Sequence, residues 1–170
     1  MSGGKEEAES AGKPLIAIIR IRGMTGVHPE VEYTLRLLRL TRKFTMSLYP
    51  AETPGLDGML QKVKDWVTWG EIDKETLVEV LKKRGRAPGN KRLTEDYLKR
   101  VLGVESFEEL ADKIFKREIK LHKLEDKIKP IFRLAPPKGG FKKSTKRPYK
   151  DEGELGYRGE AINELIRRMV

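Results

Sequence analysis

In the first part of the chain, stretches with the hydrophobic pattern of a strand alternate with stretches that have the pattern of a helix. Residues 15–22 (LIAIIRIR) and 67–72 (VTWGEI) are apolar runs rich in β-formers, and apolar and polar side chains alternate over residues 44–49, so each stretch predicts a strand. Between them, apolar residues recur at helical spacing after Pro-containing start signals at 28–29 and 53–54. We expect an α+β fold in which this β-α-β-α-β unit is ferredoxin-like. Two helices would cover one face of a three-stranded antiparallel sheet and leave the other face free.

After residue 72 the pattern changes to helical periodicity and then to a basic stretch without periodicity. Asp73, Thr94 and Ser106 stand where the N-caps of three helices are expected, and Ser106 forms a capping box with Glu109. The sequence therefore predicts five parts. They are a disordered acidic tail at 1–13, the β-α-β-α-β core at 14–72, a helical extension at 73–132, an extended basic segment at 133–160 and a C-terminal helix at 161–170.

Positive charge is concentrated in one part of the chain. The net charge is +10, and residues 116–150 hold 13 Lys and Arg against 3 Asp and Glu. The other 135 residues carry 23 charges of each sign. Because like charges repel, a solvated surface normally mixes signs, so this segment predicts an anionic partner. We expect residues 133–150 to lack fixed structure until they lie against a polyphosphate such as RNA.

Signatures of catalysis, cofactor binding and metal binding are missing from the sequence. The chain has no cysteine, which excludes a thiol nucleophile and a thiolate metal site. It has no HExxH motif and no Gly-x-Ser-x-Gly elbow, and residues 140–145 (GFKKST) lack the glycine that precedes the lysine of a phosphate loop. The carboxylates at 151–154 fit either a divalent cation or an acidic turn. No apolar run approaches the ~20 residues of a membrane span. We expect a cytoplasmic non-enzyme with no cofactor, metal, membrane or small-molecule ligand.

Residues 136–143 (PPKGGFKK) have the composition of a nucleic-acid contact. Glycines let the backbone approach phosphates closely, and lysines release counterions when they neutralise phosphates. Phe141 can stack on an unpaired base or pack on the protein. A disordered basic linker is the alternative interpretation of the same residues.

Cations elsewhere add candidates with competing explanations. Arg20 and Arg22 alternate with apolar neighbours in the first predicted strand, where they either contact RNA or solvate a sheet face. Arg36, Arg39 and Lys43 form a helical stripe that fits phosphate binding, but a glutamate four residues before Arg36 fits a structural salt bridge equally well.

Several longer motifs resemble those of a known family. The matching stretches are LLRL at 37–40, WGEI at 69–72, KRG at 83–85, LAPPKGGFKKST at 134–145 and DEGELGYRGEAINELIRRM at 151–169. They are similar to the large-subunit ribosomal protein called L-thirty in bacteria and archaea and L-seven in eukaryotes, in its archaeal and eukaryotic form. The resemblance covers residues 14–170 and is most specific in the two C-terminal stretches.

The resemblance implies a structural, non-catalytic protein whose partners are large-subunit ribosomal RNA and neighbouring ribosomal proteins. By motif match, the residues carried over as RNA contacts are Lys138, Gly139, Gly140, Lys142, Lys143, Thr145 and Arg158. The basic arm of eukaryotic members has no counterpart in the short acidic N-terminus, so its contacts are not carried over. The complete set of predicted RNA-binding residues is Arg20, Arg22, Arg36, Arg39, Lys43, Lys138, Gly139, Gly140, Phe141, Lys142, Lys143, Thr145, Lys146, Arg147, Arg158, Arg167 and Arg168.

Two other functional classes are compatible with parts of this pattern. A free-standing RNA-binding accessory factor fits the same charge distribution, and it differs from a ribosomal protein in stoichiometry and in its release by salt. A small ferredoxin-like enzyme requires convergent acid, base or nucleophilic side chains, and the sequence offers none.

Overall fold

The computed structural model describes residues 14–23, 25–124 and 126–170. The acidic tail predicted at 1–13 lies outside the described residues. Within them the strands are β1 (Leu15–Arg20), β2 (Thr45–Pro50), β3 (Val67–Glu71), β4 (Arg86–Ala87), β5 (Lys91–Arg92), β6 (Ile131–Arg133), β7 (Ser144–Pro148) and β8 (Gly153–Tyr157). The α-helices are α1 (Pro29–Leu37), α2 (Leu56–Val63), α3 (Lys74–Arg84), α4 (Glu95–Leu102), α5 (Phe107–Phe115) and α6 (Ile162–Met169).

The fold is a mixed α/β structure built on one six-stranded sheet. The strand order is β6-β2-β1-β3-β8-β7, and β4 and β5 form a separate two-stranded hairpin. Strand β1 pairs antiparallel with both β2 and β3, which places Ile18 opposite Ser47 on one side and Trp69 on the other. Strand β6 is antiparallel to β2, whereas β8 is parallel to β3 and β7 is parallel to β8.

The expectation of a three-stranded sheet is wrong, because the chain after residue 130 adds three strands to the three that were predicted. These added strands carry little hydrophobic signal. Strand β6 has only three residues, β7 has the sequence STKRP, and β8 (GELGY) contains two glycines. Their place in the sheet comes from long-range pairing, since the residues of β8 pair with residues of β3 that lie 88 positions earlier in the chain.

Both faces of the sheet are covered by helices. On one face, Ile16 and Ile18 belong to a core with Leu35 of α1 and Leu60 of α2. On the opposite face, which the sequence analysis left free, the side chains of β1 and β2 share a second core with α3, α5 and α6. Its members include Ala17, Ile19, Met46, Leu77, Leu81, Leu110 and Ile166. All six residues of β1 are buried as a result, which explains their nearly continuous apolar character.

Capping side chains define the starts of the helices in the extension. The side chains of Asp73, Thr94 and Ser106 accept hydrogen bonds from the backbone N–H three residues later, at 2.7, 3.2 and 3.2 Å, so these predicted N-caps are confirmed. The start signal at 53–54 is wrong, because α2 begins at Leu56. The Thr53 hydroxyl instead donates to the Pro50 carbonyl at 2.6 Å. Within the described ranges, every helix is too short or too polar to cross a bilayer.

Candidate nucleic-acid interface

The Pro- and Gly-rich loop after β6 follows a defined path on the C-terminal end of α6. The N–H of Ala135 donates to the Met169 carbonyl at 2.9 Å, and the N–H of Lys138 donates to the Arg168 carbonyl at 2.9 Å. The Arg168 guanidinium then donates to the carbonyls of Lys138, at 3.0 Å, and Gly140. The structure thus gives fixed contacts to a stretch that we expected to lack them, because α6 and Arg168 satisfy its backbone groups.

A tight turn exposes the tip of this loop. The Gly140 N–H donates to the Pro137 carbonyl at 2.9 Å, and Gly139 and Gly140 have φ values of +79° and +75°. Residues with a side chain rarely adopt this left-handed conformation, so the two glycines permit the turn. Lys138 and both glycines are exposed.

The cations that follow the turn also project into solvent. Lys142, Lys143, Lys146 and Arg147 are all exposed. The Lys142 ammonium lies 3.7 Å from the Glu164 carboxylate, and both side chains are more than two-thirds exposed. Such a pair contributes only about 0–1 kcal/mol, so a phosphate can replace the carboxylate at little cost. Loop and strand together present a continuous cationic stretch at 138–147, called the basic loop below.

A buried ion pair fastens the basic loop to the sheet. Glu154 and Arg158 are 4% and 9% exposed, and their side chains meet at 2.7 Å. The second carboxylate oxygen of Glu154 accepts from the Lys143 N–H at 3.0 Å, while Nε of Arg158 donates to the Thr68 hydroxyl at 2.7 Å. Strand β3 is thereby connected to the basic loop through charged side chains. Because Glu154 is buried in this pair, it does not belong to a solvated acidic turn.

Tyr149 adds an aromatic surface beside this ion pair. The Lys143 ammonium and the Arg158 guanidinium each lie 5.0 Å from the centre of its ring. Cations are attracted to the face of an aromatic ring at this distance. The tyrosine therefore helps to position one cation that faces solvent and one that is buried.

Two of the predicted RNA-binding arginines are structural. Arg158 uses its guanidinium inside the protein, and Arg20 is 1% exposed. The Arg20 guanidinium donates to the carbonyls of Leu40 at 2.8 Å and Arg22 at 2.9 Å, and burial lowers its pKa. The interpretation that Arg20 points off an open sheet face is wrong, because it shares the face of Ile18 that α1 and α2 cover. Neither guanidinium is available to a phosphate in this conformation.

The predicted cationic stripe of the first helix is also wrong, because α1 ends at Leu37. Arg36 is exposed and pairs with Glu32 at 3.2 Å, as the salt-bridge alternative anticipated. Arg39 lies beyond the helix with a φ of +63° and is half-buried. Lys43 is exposed and lies 5.0 Å from the centre of the Phe44 ring. The three cations therefore do not form one helical surface.

The side chains of the remaining predicted residues make different intramolecular contacts. Phe141 is half-buried and packs with its ring centre 6.1 Å from that of Phe44, so its aromatic face is used within the protein. Arg22 lies 4.5 Å from the centre of the Trp66 ring. Arg167 is 3.8 Å from the carboxylates of Asp73 and of Glu75. Thr145 is half-buried in β7.

Sequence reasoning missed the residues that position the basic loop. Thr68 and Tyr149 were not considered, and Glu154 was considered only as part of an acidic cluster. Thr68 lies 90 residues from its partner Arg158, so no local spacing indicates that contact, whereas Glu154 and Arg158 are four residues apart. The sequence contains two signals, namely the four-residue spacing of Glu154 and Arg158 and the aromatic Tyr149 inside a run of cations.

Comparison with known proteins identifies the family. Residues 16–67 match the family described as Ribosomal protein L30p/L7e. The chain is 62% identical to the large ribosomal subunit protein uL30 of Hyperthermus butylicus, over 98% of this chain and 95% of that protein. It is 60% identical to uL30 of Staphylothermus marinus, over 92% and 98%, and 47% identical to uL30 of Pyrobaculum islandicum, over 97% and 99%.

These similarities define a protein of the ribosomal-protein class. The chain belongs to the uL30 family, which confirms the resemblance drawn from its C-terminal motifs.

Proposed function

We propose that this protein is a structural constituent of the large ribosomal subunit that binds ribosomal RNA and stabilises its fold, without catalysing a reaction. The observation that carries this proposal is the basic loop, whose backbone is fixed by Arg168 and Glu154 while its lysines face solvent. The relatives support it, because each carries the name of a large-subunit ribosomal protein over nearly the whole of its length. Neighbouring ribosomal proteins are the other partners.

The basic loop suits RNA because it combines charge with preorganisation. A flexible lysine-rich linker loses conformational entropy when it binds, whereas a loop already held at both ends loses much less. Its lysines neutralise phosphates and release counterions. The glycine turn lets a sugar-phosphate backbone approach the main chain. The proposed contacts are Lys138, Gly139, Gly140, Lys142, Lys143, Lys146 and Arg147, with Lys43 and Arg36 as further exposed cations.

The rest of the chain serves as the scaffold in this proposal. We take residues 14–72 as a ferredoxin-like unit and 73–132 as a helical extension that covers its second face. The basic segment at 133–160 and the last helix at 161–170 then complete the sheet and position the loop. Helices on both faces make the sheet rigid, which keeps the loop in one orientation on the RNA.

Binding to purified large-subunit RNA tests the proposal. Replacing Lys138, Lys142 and Lys143 with alanine removes three exposed charges, so the slope of log K against log salt concentration is expected to fall by about 0.9 per lost contact, the value for duplex DNA. A control variant with alanine at Lys62, Lys64 and Lys99, which are exposed cations outside the basic loop, keeps the wild-type slope. Equal slopes for the loop variant and the wild type would exclude phosphate contact by the loop.

Sedimentation distinguishes a ribosomal constituent from an accessory factor. We expect one copy per large subunit in a sucrose gradient of cell extract, retained after a moderate salt wash. Recovery at the top of the gradient, or release by that wash, would favour a transient RNA-binding factor.

A further inference from the structure

A second group of cations, remote in sequence from the basic loop, surrounds a cavity beside β6. Its volume is about 130 Å³, enough for a group several times larger than a water molecule, whose share of the liquid is about 30 Å³. The lining residues are Arg84, Arg86, Asn90, Lys129, Ile131 and Arg133. Four of the six are cations and none is an acid.

The elements around the cavity hold the four cations close together. Arg84 ends α3, Arg86 belongs to the β4–β5 hairpin, and Arg133 belongs to β6. The Lys129 N–H donates to the Arg86 carbonyl at 2.9 Å, which joins the hairpin to the chain leading into β6. Strand β6 is in turn fixed by antiparallel pairing with β2. The cavity therefore has walls that are tied to the main sheet.

This arrangement places like charges together without internal compensation. Among the residues that the structure describes, Arg84, Arg86, Lys129 and Arg133 form no ion pair. In the hairpin, Arg86 lies directly opposite Arg92, and like charges in that position destabilise strand pairing. A two-stranded hairpin has little stability of its own to offset such repulsion. An anion in the cavity would relieve the repulsion among all of these cations.

We propose that this cavity, called the arginine pocket, binds a backbone phosphate of RNA. Guanidinium groups present parallel N–H donors that match the oxygens of a phosphate, and three of the four cations are arginines. Arg86 donates through one terminal nitrogen to the carbonyls of Gly85 and Lys83, which fixes its side chain. The exposed Lys91 and Arg92 extend the positive surface along the hairpin. An RNA backbone carries successive phosphates, so it can contact these cations as well as the pocket. A single carboxylate of an acidic protein would fill the pocket but would leave Lys91 and Arg92 without an anionic partner.

The inference rests on the proposed function and adds a second RNA contact to it. The arginine pocket lies at the β6 edge of the sheet, whereas β7 of the basic loop forms the opposite edge. Five strand spacings separate these edges, which is roughly 24 Å. Two anchors on opposite edges fix the orientation of the protein on RNA, which a single cationic loop cannot do.

Substitution of Lys129 and Arg133, two of the pocket cations whose side chains make no hydrogen bond within the described residues, tests the pocket in the full chain. The variant Lys129→Gln with Arg133→Gln is compared with Lys62→Gln and Lys64→Gln, which removes the same charge from exposed positions on and just beyond α2. With purified large-subunit RNA, the pocket variant is expected to bind about tenfold more weakly, and its salt slope to fall by about 0.9 per lost contact. The control variant keeps the wild-type affinity and slope.

A charge-conserving variant separates lost charge from lost structure. Lys129→Arg with Arg133→Lys keeps both positive charges, so the salt slope is expected to return to the wild-type value. If wild type binds RNA while the pocket variant matches the control, the arginine pocket is not an RNA contact and the proposed function stands. If the pocket variant binds RNA normally but no longer joins the protein-containing particle, the occupant is an acidic protein and the inference is wrong. If wild type does not bind the RNA, the proposed function fails and the pocket proposal fails with it.

Discussion

The basic loop and the Glu154–Arg158 pair belong to the same segment, residues 133–160, yet they use their charges in opposite ways. In the loop, Lys138, Lys142 and Lys143 are exposed. At the pair, Arg158 is 9% exposed and bonds with Glu154 and Thr68. One region offers its charge to a partner, and the other uses its charge to hold the sheet together.

The difference follows from the chemistry of the two cations. Arginine carries five N–H donors on a planar, weakly hydrated group, so one side chain can satisfy several oxygens inside a protein. Arg20, Arg158 and Arg168 each bond with backbone carbonyls in this way. The lysine ammonium is compact and strongly hydrated, so it remains in water until a phosphate is present. The set of predicted RNA-binding residues, which included all three of these arginines, therefore overstates the surface available to RNA.

Removing Arg158 is expected to have the largest effect on folding. In Arg158→Met the Glu154 carboxylate stays buried without its cation, which costs about 3–5 kcal/mol in the free energy of unfolding. Chemical denaturation measures the loss. The double variant Glu154→Gln with Arg158→Met removes the stranded charge, so it is expected to recover a substantial part of that loss. A loss below about 1 kcal/mol in the single variant would show that the pair is not structural.

Substitution at Gly153 tests whether the basic loop depends on close packing of β7 against β8. A Cβ atom there would lie 1.8 Å from the Arg147 carbonyl oxygen, so the two strands must separate in Gly153→Ala. We expect a loss of about 1–3 kcal/mol, as for other overpacked sites. The matched control is Gly58→Ala, since Gly58 lies inside α2 and an added Cβ would have no heavy atom within 4 Å beyond the adjoining backbone of its own helix. That control is expected to stabilise the protein by about 0.5–1 kcal/mol. Equal stability of the two variants would contradict the packing argument.

Local periodicity was sufficient to predict much of the scaffold. Strands β1 to β3 and the helix starts at Asp73, Thr94 and Ser106 follow from patterns within a few residues of each other. Strands β7 and β8 were not predictable in this way, because they are short, exposed or glycine-rich and are defined by pairing with distant segments. The covering of the second sheet face was missed for the same reason.

The sequence predicted which stretch carries the exposed cations of the candidate site, but it did not predict how the site residues are arranged in space. The exposed lysines of residues 138–143 stand in a stretch without hydrophobic periodicity, which correctly indicated a surface segment. Arg20 was misplaced because the alternation in β1 was interpreted as one open face, although Ile16 and Ile18 share its parity and are buried. The arginine pocket could not be predicted from local sequence, since Lys129 and Arg133 meet Arg84 and Arg86 only through tertiary contacts.

The smallest effect on stability is expected for substitutions in the basic loop itself. This prediction tests most directly whether the loop and the Glu154–Arg158 pair differ in their structural role. Replacing Lys138, Lys142 and Lys143 with alanine removes exposed side chains, together with the ion pair of Lys142 with Glu164 and the cation–π contact of Lys143 with Tyr149. The free energy of unfolding is therefore expected to change by only about 1 kcal/mol, because both contacts are exposed. Denaturation of this variant beside Arg158→Met provides the measurement. A loss of 2 kcal/mol or more, on the order of a lost buried hydrogen bond, would mean that these lysines also hold the fold together. The contrast between the exposed lysines of the basic loop and the structural arginine of the Glu154–Arg158 pair would then not hold in this protein.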